Sequence, residues 1–147
     1  MKLYIGADHA GFDLKEKLKP TLKKMKYQVL DLGNTKFDKN DDYPIFAARV
    51  AKKVAKAKNS FGILICGSGQ GVAIAANKIK GIRAALAEHI IDAENSRKDD
   101  DCNILCLQGR FTTFDKSKRI AKAFLKTKFK TETKYKRRVN EIKRLEK

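Results

Sequence analysis

Five short apolar runs, at about 2–7, 28–32, 61–66, 83–87 and 103–107, alternate along this chain with helical patterns at about 11–26, 43–58, 71–79, 89–98 and 114–126. Strands that alternate with helices long enough to cross back over a sheet are the signature of parallel strands with helices on both faces. The pattern predicts an α/β fold, a single-domain Rossmann-like doubly wound sandwich around a five-stranded parallel sheet. The 147 residues suffice for one sizeable core, and no Ser/Pro/Gly-rich linker or internal repeat divides them, so residues 1–147 are expected to form one domain. Pro20 interrupts the first helical pattern, where an interior proline costs ~3 kcal/mol, and is expected to kink or break it.

Two segments lie outside the alternation. Residues 34–42, rich in Asn, Asp and Lys, read as a surface loop leading to Tyr43-Pro44 at a helix start. Residues 131–147 read as a basic C-terminal helix, with Val139, Ile142 and Leu145 at helical spacing. That apolar stripe is too small to anchor a helix alone and is expected to pack on another surface.

In open α/β sheets, ligands bind outside the carboxyl ends of the strands. There this chain places Ile65-Cys66-Gly67-Ser68-Gly69-Gln70-Gly71-Val72, a thiol at a strand end followed by a glycine-rich turn into a helix. Glycines at this density permit positive φ and bring backbone N–H groups close to a ligand, while a helix N-terminus favours negative charge. An anion or a developing oxyanion fits such a turn. The spacing is not that of a dinucleotide fingerprint, and Gly71 is followed by Val72-Ala73 rather than the Lys-Ser/Thr of a Walker loop. Cys66 can be a small core hydrophobe or, where exposed and electropositive, a proton-transfer base.

The first strand ends in the same way, with Asp8-His9-Ala10-Gly11-Phe12 opening the next helix. Taken alone, Asp8 reads as a helix N-cap and His9 as a solvated first-turn residue. If strands one and three are neighbours, Asp8, His9 and Cys66 share one crevice, and an acid, an imidazole and a thiol form an acid–base site.

These blocks, together with Leu14-Lys15, Asp42-Tyr43-Pro44, Ala75-Ala76-Asn77-Lys78, Gly81-Ile82-Arg83-Ala84, Gly109-Arg110 and Arg138-Val139, resemble the ribose-5-phosphate isomerase type B and galactose-6-phosphate isomerase family over nearly the whole chain. The resemblance implies an aldose–ketose isomerase that opens a sugar-phosphate ring and moves a proton between C1 and C2 through an enediolate, with no metal and no organic cofactor. By position, Cys66 is the proton-transfer base, Ser68 supports its thiolate, and the amides of Gly67, Ser68, Gly69, Gln70 and Gly71 hold the enediolate oxygens. Asp8 and His9 match the pair that contacts the sugar ring and phosphate. Tyr43 lines the pocket, and Arg110, Lys134 and Arg138 fall on phosphate-binding cations. Lys134 stands where an arginine is usual, which keeps the charge and loses the planar fork.

One departure is specific. The family pattern has His-Asn where this chain has Asp99-Asp100. Asp99 is the expected ring-opening group and Asp100 a substrate contact, but a carboxylic acid donates a proton near neutral pH only when burial raises its pKa. Asn77 is expected to brace the glycine loop. The resemblance also implies a homodimer or tetramer with shared active sites, the terminal helix carrying Lys134 and Arg138 to the neighbouring subunit. The alternatives are a galactose-6-phosphate isomerase subunit that needs a related partner chain, and a non-catalytic sugar-phosphate-binding relative.

The formal charge of +17, from 34 Lys+Arg against 17 Asp+Glu, raises the question of nucleic-acid binding. The lysines are spread along every helical pattern and no nucleic-acid motif accompanies them, so a phosphorylated sugar is the expected anionic partner and no specific nucleic acid is. Cys66, Cys102 and Cys106 lack metal-ligand spacing, and Cys102 and Cys106 are expected in the core. Neither a signal peptide nor a membrane-spanning run is evident, and a cytoplasmic location is expected.

Overall fold

A computed structural model describes residues 1–146. Five strands, β1 (Lys2–Ala7), β2 (Gln28–Asp31), β3 (Ser60–Cys66), β4 (Ala84–Leu86) and β5 (Ile104–Gln108), form one sheet in the order β2-β1-β3-β5-β4. Every pairing is parallel, and the register sets Ala7 beside Ile65 and Cys66 beside Gln108. Six helices accompany it among the described residues: α1 (Phe12–Lys24), α2 (Tyr43–Lys56), α3 (Gln70–Asn77), α4 (Ile90–Asp100), α5 (Phe114–Lys126) and α6 (Thr133–Arg144). The alternation read from the sequence is thus the alternation that folds. The expected terminal helix extended to Lys147, which lies outside the described residues. No helix of the described residues is long and apolar enough to cross a membrane.

The strands alternate their side chains between two helical layers. Ile63 and Ile65 of β3 face a core built with Leu14, Leu18 and Leu22 of α1, Ala93 of α4 and Ile120, Ala121 and Phe124 of α5. Leu64 and Cys66 face the opposite core, with Val50, Ala51 and Val54 of α2 and Val72 and Ala76 of α3. Burial on both faces is why β3 reads as a continuous apolar run. Helix ends carry local signals: Thr113 Oγ1 accepts from Lys116 N at 3.2 Å to start α5, and Lys23 and Lys24 lie at the carbonyl end of α1. The cysteines expected in the core are there. Burial pushes the Cys102 thiol up to about 12 and raises that of Cys106 as well.

Helix α1 runs unbroken through Pro20, so the proline does not end it. The proline is exposed, so the Glu16 carbonyl that it deprives of an N–H partner lies on the watered side of the helix. Pro20→Ala restores that bond and should raise the unfolding free energy by about 1–3 kcal/mol, less the entropy that proline removes from the unfolded chain. A urea midpoint that stays the same or falls would show that α1 bends to suit the proline.

The same helix buries a charge. Lys15, 0% exposed, directs Nζ to Asp31 Oδ2 at the end of β2 and to Glu16 Oε1, beneath the ring of Phe12, and Lys19 joins Asp31 at 2.8 Å. Burial works to raise the Asp31 pKa, but the hydrogen bonds from Lys15 and Lys19 outweigh it and hold the carboxyl below its ordinary range. Asp31 Oδ1 accepts from Gly33 N at 3.0 Å. Gly33 O in turn accepts from Ala7 N, and Asn34 N donates to Ala7 O, so this ionic cluster holds the loop after β2 against the carboxyl end of β1.

Candidate active site

Strand β1 leads to β2 on one side of the sheet, and β3 leads toward β5 and β4 on the other, so the topology reverses between β1 and β3. Ligand crevices of open α/β sheets form at such a point. The neighbour relation that the acid–base reading required therefore holds. At the carboxyl ends of β1 and β3 lies a cleft of about 330 Å³ lined by Asp8, His9, Tyr43, Cys66, Gly67, Ser68, Gly71, Arg110 and Phe111 among others.

Close backbone approach builds its walls. Gly69 has φ +76°, and a Cβ there would stand 2.6 Å from a Leu86 methyl and 3.0 Å from the Leu107 backbone, so glycine alone lets the turn press onto β5. The Tyr43 ring, at the start of α2, lies flush against Gly71, and the Arg110 guanidinium covers Gly67. Gly109 N donates to Cys66 O at 2.7 Å and Arg110 N to Gly67 O at 3.1 Å, which ties the cation to the strand end that carries the thiol. Cys66 is 4% exposed, at the cleft floor. Ser68 Oγ accepts from Gln70 N at 3.3 Å, and no hydrogen bond joins Ser68 to Cys66 among the described residues.

Asp8 caps no helix by its side chain in the manner expected, since α1 begins after Gly11. Its Oδ1 instead accepts from Ala10 N and Gly11 N at 3.0 and 3.1 Å, closing the turn between β1 and α1. Burial raises its pKa, only partly offset by those amides and by His9. His9 is not a free solvated ring: its N and its Nδ1 both lie 2.8 Å from Asp41 Oδ1, and Asp41 Oδ2 accepts from Asn34 Nδ2 at 3.3 Å. The hydrogen bond to Asp41 raises the His9 pKa above 6.5, with Asp8 adding to the effect and desolvation and Arg110 opposing it. Asp41 is the site residue that sequence reasoning missed.

The single chain leaves Asp99, Asp100, Lys134 and Arg138 outside this cleft. Helix α4 runs back from the carboxyl end of β4, so its last turn reaches the amino ends of the strands, where Arg83, just before β4, donates to the Asp100 and Asp101 carbonyls. There Asp99 is ion-paired with Lys130 at 3.0 Å, and Lys130 also reaches Tyr135 Oη of α6. Lys134 and Arg138 lie exposed on α6. Asn77 does not brace the glycine loop; its amide pairs with Ala84 N and O at the start of β4, both at 2.8 Å, because the end of α3 points away from that loop.

Residues 3–142 match a family model described as Ribose/Galactose Isomerase. A probable ribose-5-phosphate isomerase B of Mycoplasma genitalium is 44% identical over 146 residues, covering 99% of this chain and 95% of that protein. Ribose-5-phosphate isomerase B of Mycobacterium tuberculosis is 35% identical over 140 residues, covering 95% of this chain and 86% of its own. Among solved structures, that of ribose-5-phosphate isomerase B from M. genitalium with bound ribulose-5-phosphate superimposes with a TM-score of 0.94 at 44% identity, over 99% of this chain and 95% of that one. The Clostridium thermocellum enzyme gives 0.92 at 39% identity, over 99% and 97%.

Proposed function

Because the chain belongs to the ribose/galactose isomerase family, we propose that it is an aldose–ketose isomerase interconverting ribose 5-phosphate and ribulose 5-phosphate through an enediolate, with Cys66 as the base. The observation that carries the reading is the thiol at the floor of a cleft whose rim holds Arg110 and whose wall is the glycine turn of Gly67 to Gly71. The Cys66 thiolate takes the proton from one carbon of the C1–C2 pair and returns it to the other. Charge that develops on the enediolate oxygens falls to the backbone amides of the turn and the N-terminus of α3. Tyr43 shapes the sugar pocket and Asp8 holds the β1 turn. The test is a coupled assay of the purified chain on ribose 5-phosphate and galactose 6-phosphate. Turnover of the hexose phosphate alone, or only after a related chain is added, would favour the galactose-6-phosphate subunit, and binding without turnover a non-catalytic relative.

The site is completed by a second copy of the chain. Asp99, Asp100, Lys134 and Arg138 lie at the end of the sheet opposite Cys66, so they reach a cleft of this kind only across an interface. Two further features at the end of α6 support one: Leu145, just after the helix, is 80% exposed, and Ile142 and Leu145 border a groove of about 780 Å³ together with Ile79, Ile82 and Ala84. Arg138→Ala removes one charge-assisted phosphate contact and should raise KM for ribose 5-phosphate about tenfold at little cost in kcat. Deleting residues from Thr133 onward should weaken both KM and dimerisation, read by light scattering. A truncated chain that stays dimeric with unchanged KM would mean that Lys134 and Arg138 contact solvent only.

A further inference from the structure

Asp41 sits 32 residues from His9 in sequence, and one of its oxygens accepts from both the backbone N and the ring Nδ1 of that histidine. The Asp41 side chain is 5% exposed, so these bonds are little screened by solvent. A ring held in this way carries its proton on Nδ1 and keeps Nε2 for the cleft that it lines with Cys66. Carboxylate, imidazole and reaction space are therefore in series.

The isomerisation read above needs a group of this kind, and this inference rests on that reading. A cyclic aldose phosphate must open before its C2 proton is accessible, and opening requires a proton on the ring oxygen. Among the groups that line the cleft, Arg110 cannot give up a proton, Cys66 serves the second step, and Asp8 commits one carboxylate oxygen to the two amides that close its turn. Asp99, which a second copy would bring to the cleft, is a carboxylate already ion-paired with Lys130. We infer that His9 is the catalytic acid that opens the sugar ring, and that Asp41 is the positioning residue that fixes its tautomer and orientation. As the C1–O4 bond breaks, its electron pair goes to O4, which takes the proton from His9 Nε2. The C1 hydroxyl becomes the carbonyl and loses its proton to water, and water re-protonates His9.

The groups that face His9 are Asp41 and Asp8, which favour its protonated form, and Arg110, which opposes it. The hydrogen bond to Asp41 dominates, so the acid form persists above pH 6.5. A raised folded value also means that this pair stabilises the fold fully below about pH 6.5 and that the contribution is lost as pH rises through the folded value.

Ring opening can be read apart from isomerisation. In a Cys66→Ala background, the chain should still speed exchange between the α and β anomers of ribose 5-phosphate, measured by exchange NMR at the anomeric protons, with binding checked by calorimetry. Adding His9→Gln should return exchange to the rate in buffer, and Asp41→Asn should lower the acceleration about tenfold or more. The chain has two histidines, so imidazole NMR can follow both. Asp41→Asn should move the His9 midpoint down toward about 6.5. Sugar that binds without faster anomer exchange, or exchange lost with Asp99→Asn and kept with His9→Gln, would overturn the assignment. An unshifted His9 midpoint in Asp41→Asn would overturn the role of Asp41. Failure of ribose 5-phosphate to bind at all would instead count against the isomerase reading.

Discussion

Replacing Cys66 by alanine is expected to lower isomerisation roughly 10²–10⁴-fold while ribose 5-phosphate still binds, because the substitution removes the proton-transfer base and leaves the phosphate and sugar contacts in place. The alanine fits. Cys66 is packed at the end of β3 in the same buried cluster as Leu64 and Val72, and losing one sulfur at the cleft floor opens no more than a small void. Cys102→Ala is the comparison, since that thiol lies in the core just before β5 and should leave turnover near the wild-type value. Steady-state turnover beside calorimetric affinity separates the two effects. Turnover near wild type in the Cys66 variant would remove the thiol from the mechanism, and loss of binding with turnover would make it a structural residue.

The largest expected effect on stability belongs to Lys15→Ala, at about 3 kcal/mol or more. Deleting one member of a buried ionic cluster leaves the others poorly compensated, and such deletions cost about 3–5 kcal/mol. Lys19 still reaches Asp31, which places the estimate at the lower end. The damage should spread toward the cleft, because Asp31 holds Gly33 N and the following residues pair with Ala7 beside Asp8 and His9. Urea unfolding measures the first effect and the His9 NMR midpoint the second. Acid provides another check: the Asp31 pKa is depressed, so its contribution is present above about pH 4 and lost as pH falls through the folded value, and the variant should lose less stability there. A loss under about 1 kcal/mol would mean that Lys15 is carried by its hydrocarbon stem alone.

The sequence displayed those parts of the fold whose causes are local. Buried parallel strands appear as apolar runs, helix layers as spaced leucines and valines, and the thiol and the acid–imidazole pair as residues at strand ends, so the positions of Cys66, Asp8 and His9 could be anticipated together. What stayed hidden depends on contacts distant in sequence or on which side faces water. Asp41 reads as one more aspartate in a polar loop, and only the folded chain brings it back onto His9. Lys15 reads as a breach of the apolar stripe until Asp31 appears opposite it. Pro20 looked disruptive because sequence periodicity does not say which carbonyl the solvent can serve. The placement of Asp99 and Asp100 away from Cys66 was in principle derivable, since a helix that follows a parallel strand must end at the opposite edge of the sheet.

The alternation of β3 sets a rule for how this protein can change over evolutionary time. Leu64 and Cys66 share one face of the sheet, and Ile63 and Ile65 the other. A single codon gained or lost inside the strand would turn the thiol under the wrong helices and turn its neighbours with it. Descendants can therefore relocate the thiol along β3 only in steps of two residues, roughly 6.7 Å, which is too coarse for a proton-transfer atom. Length variation in this strand should be purged from functional lineages.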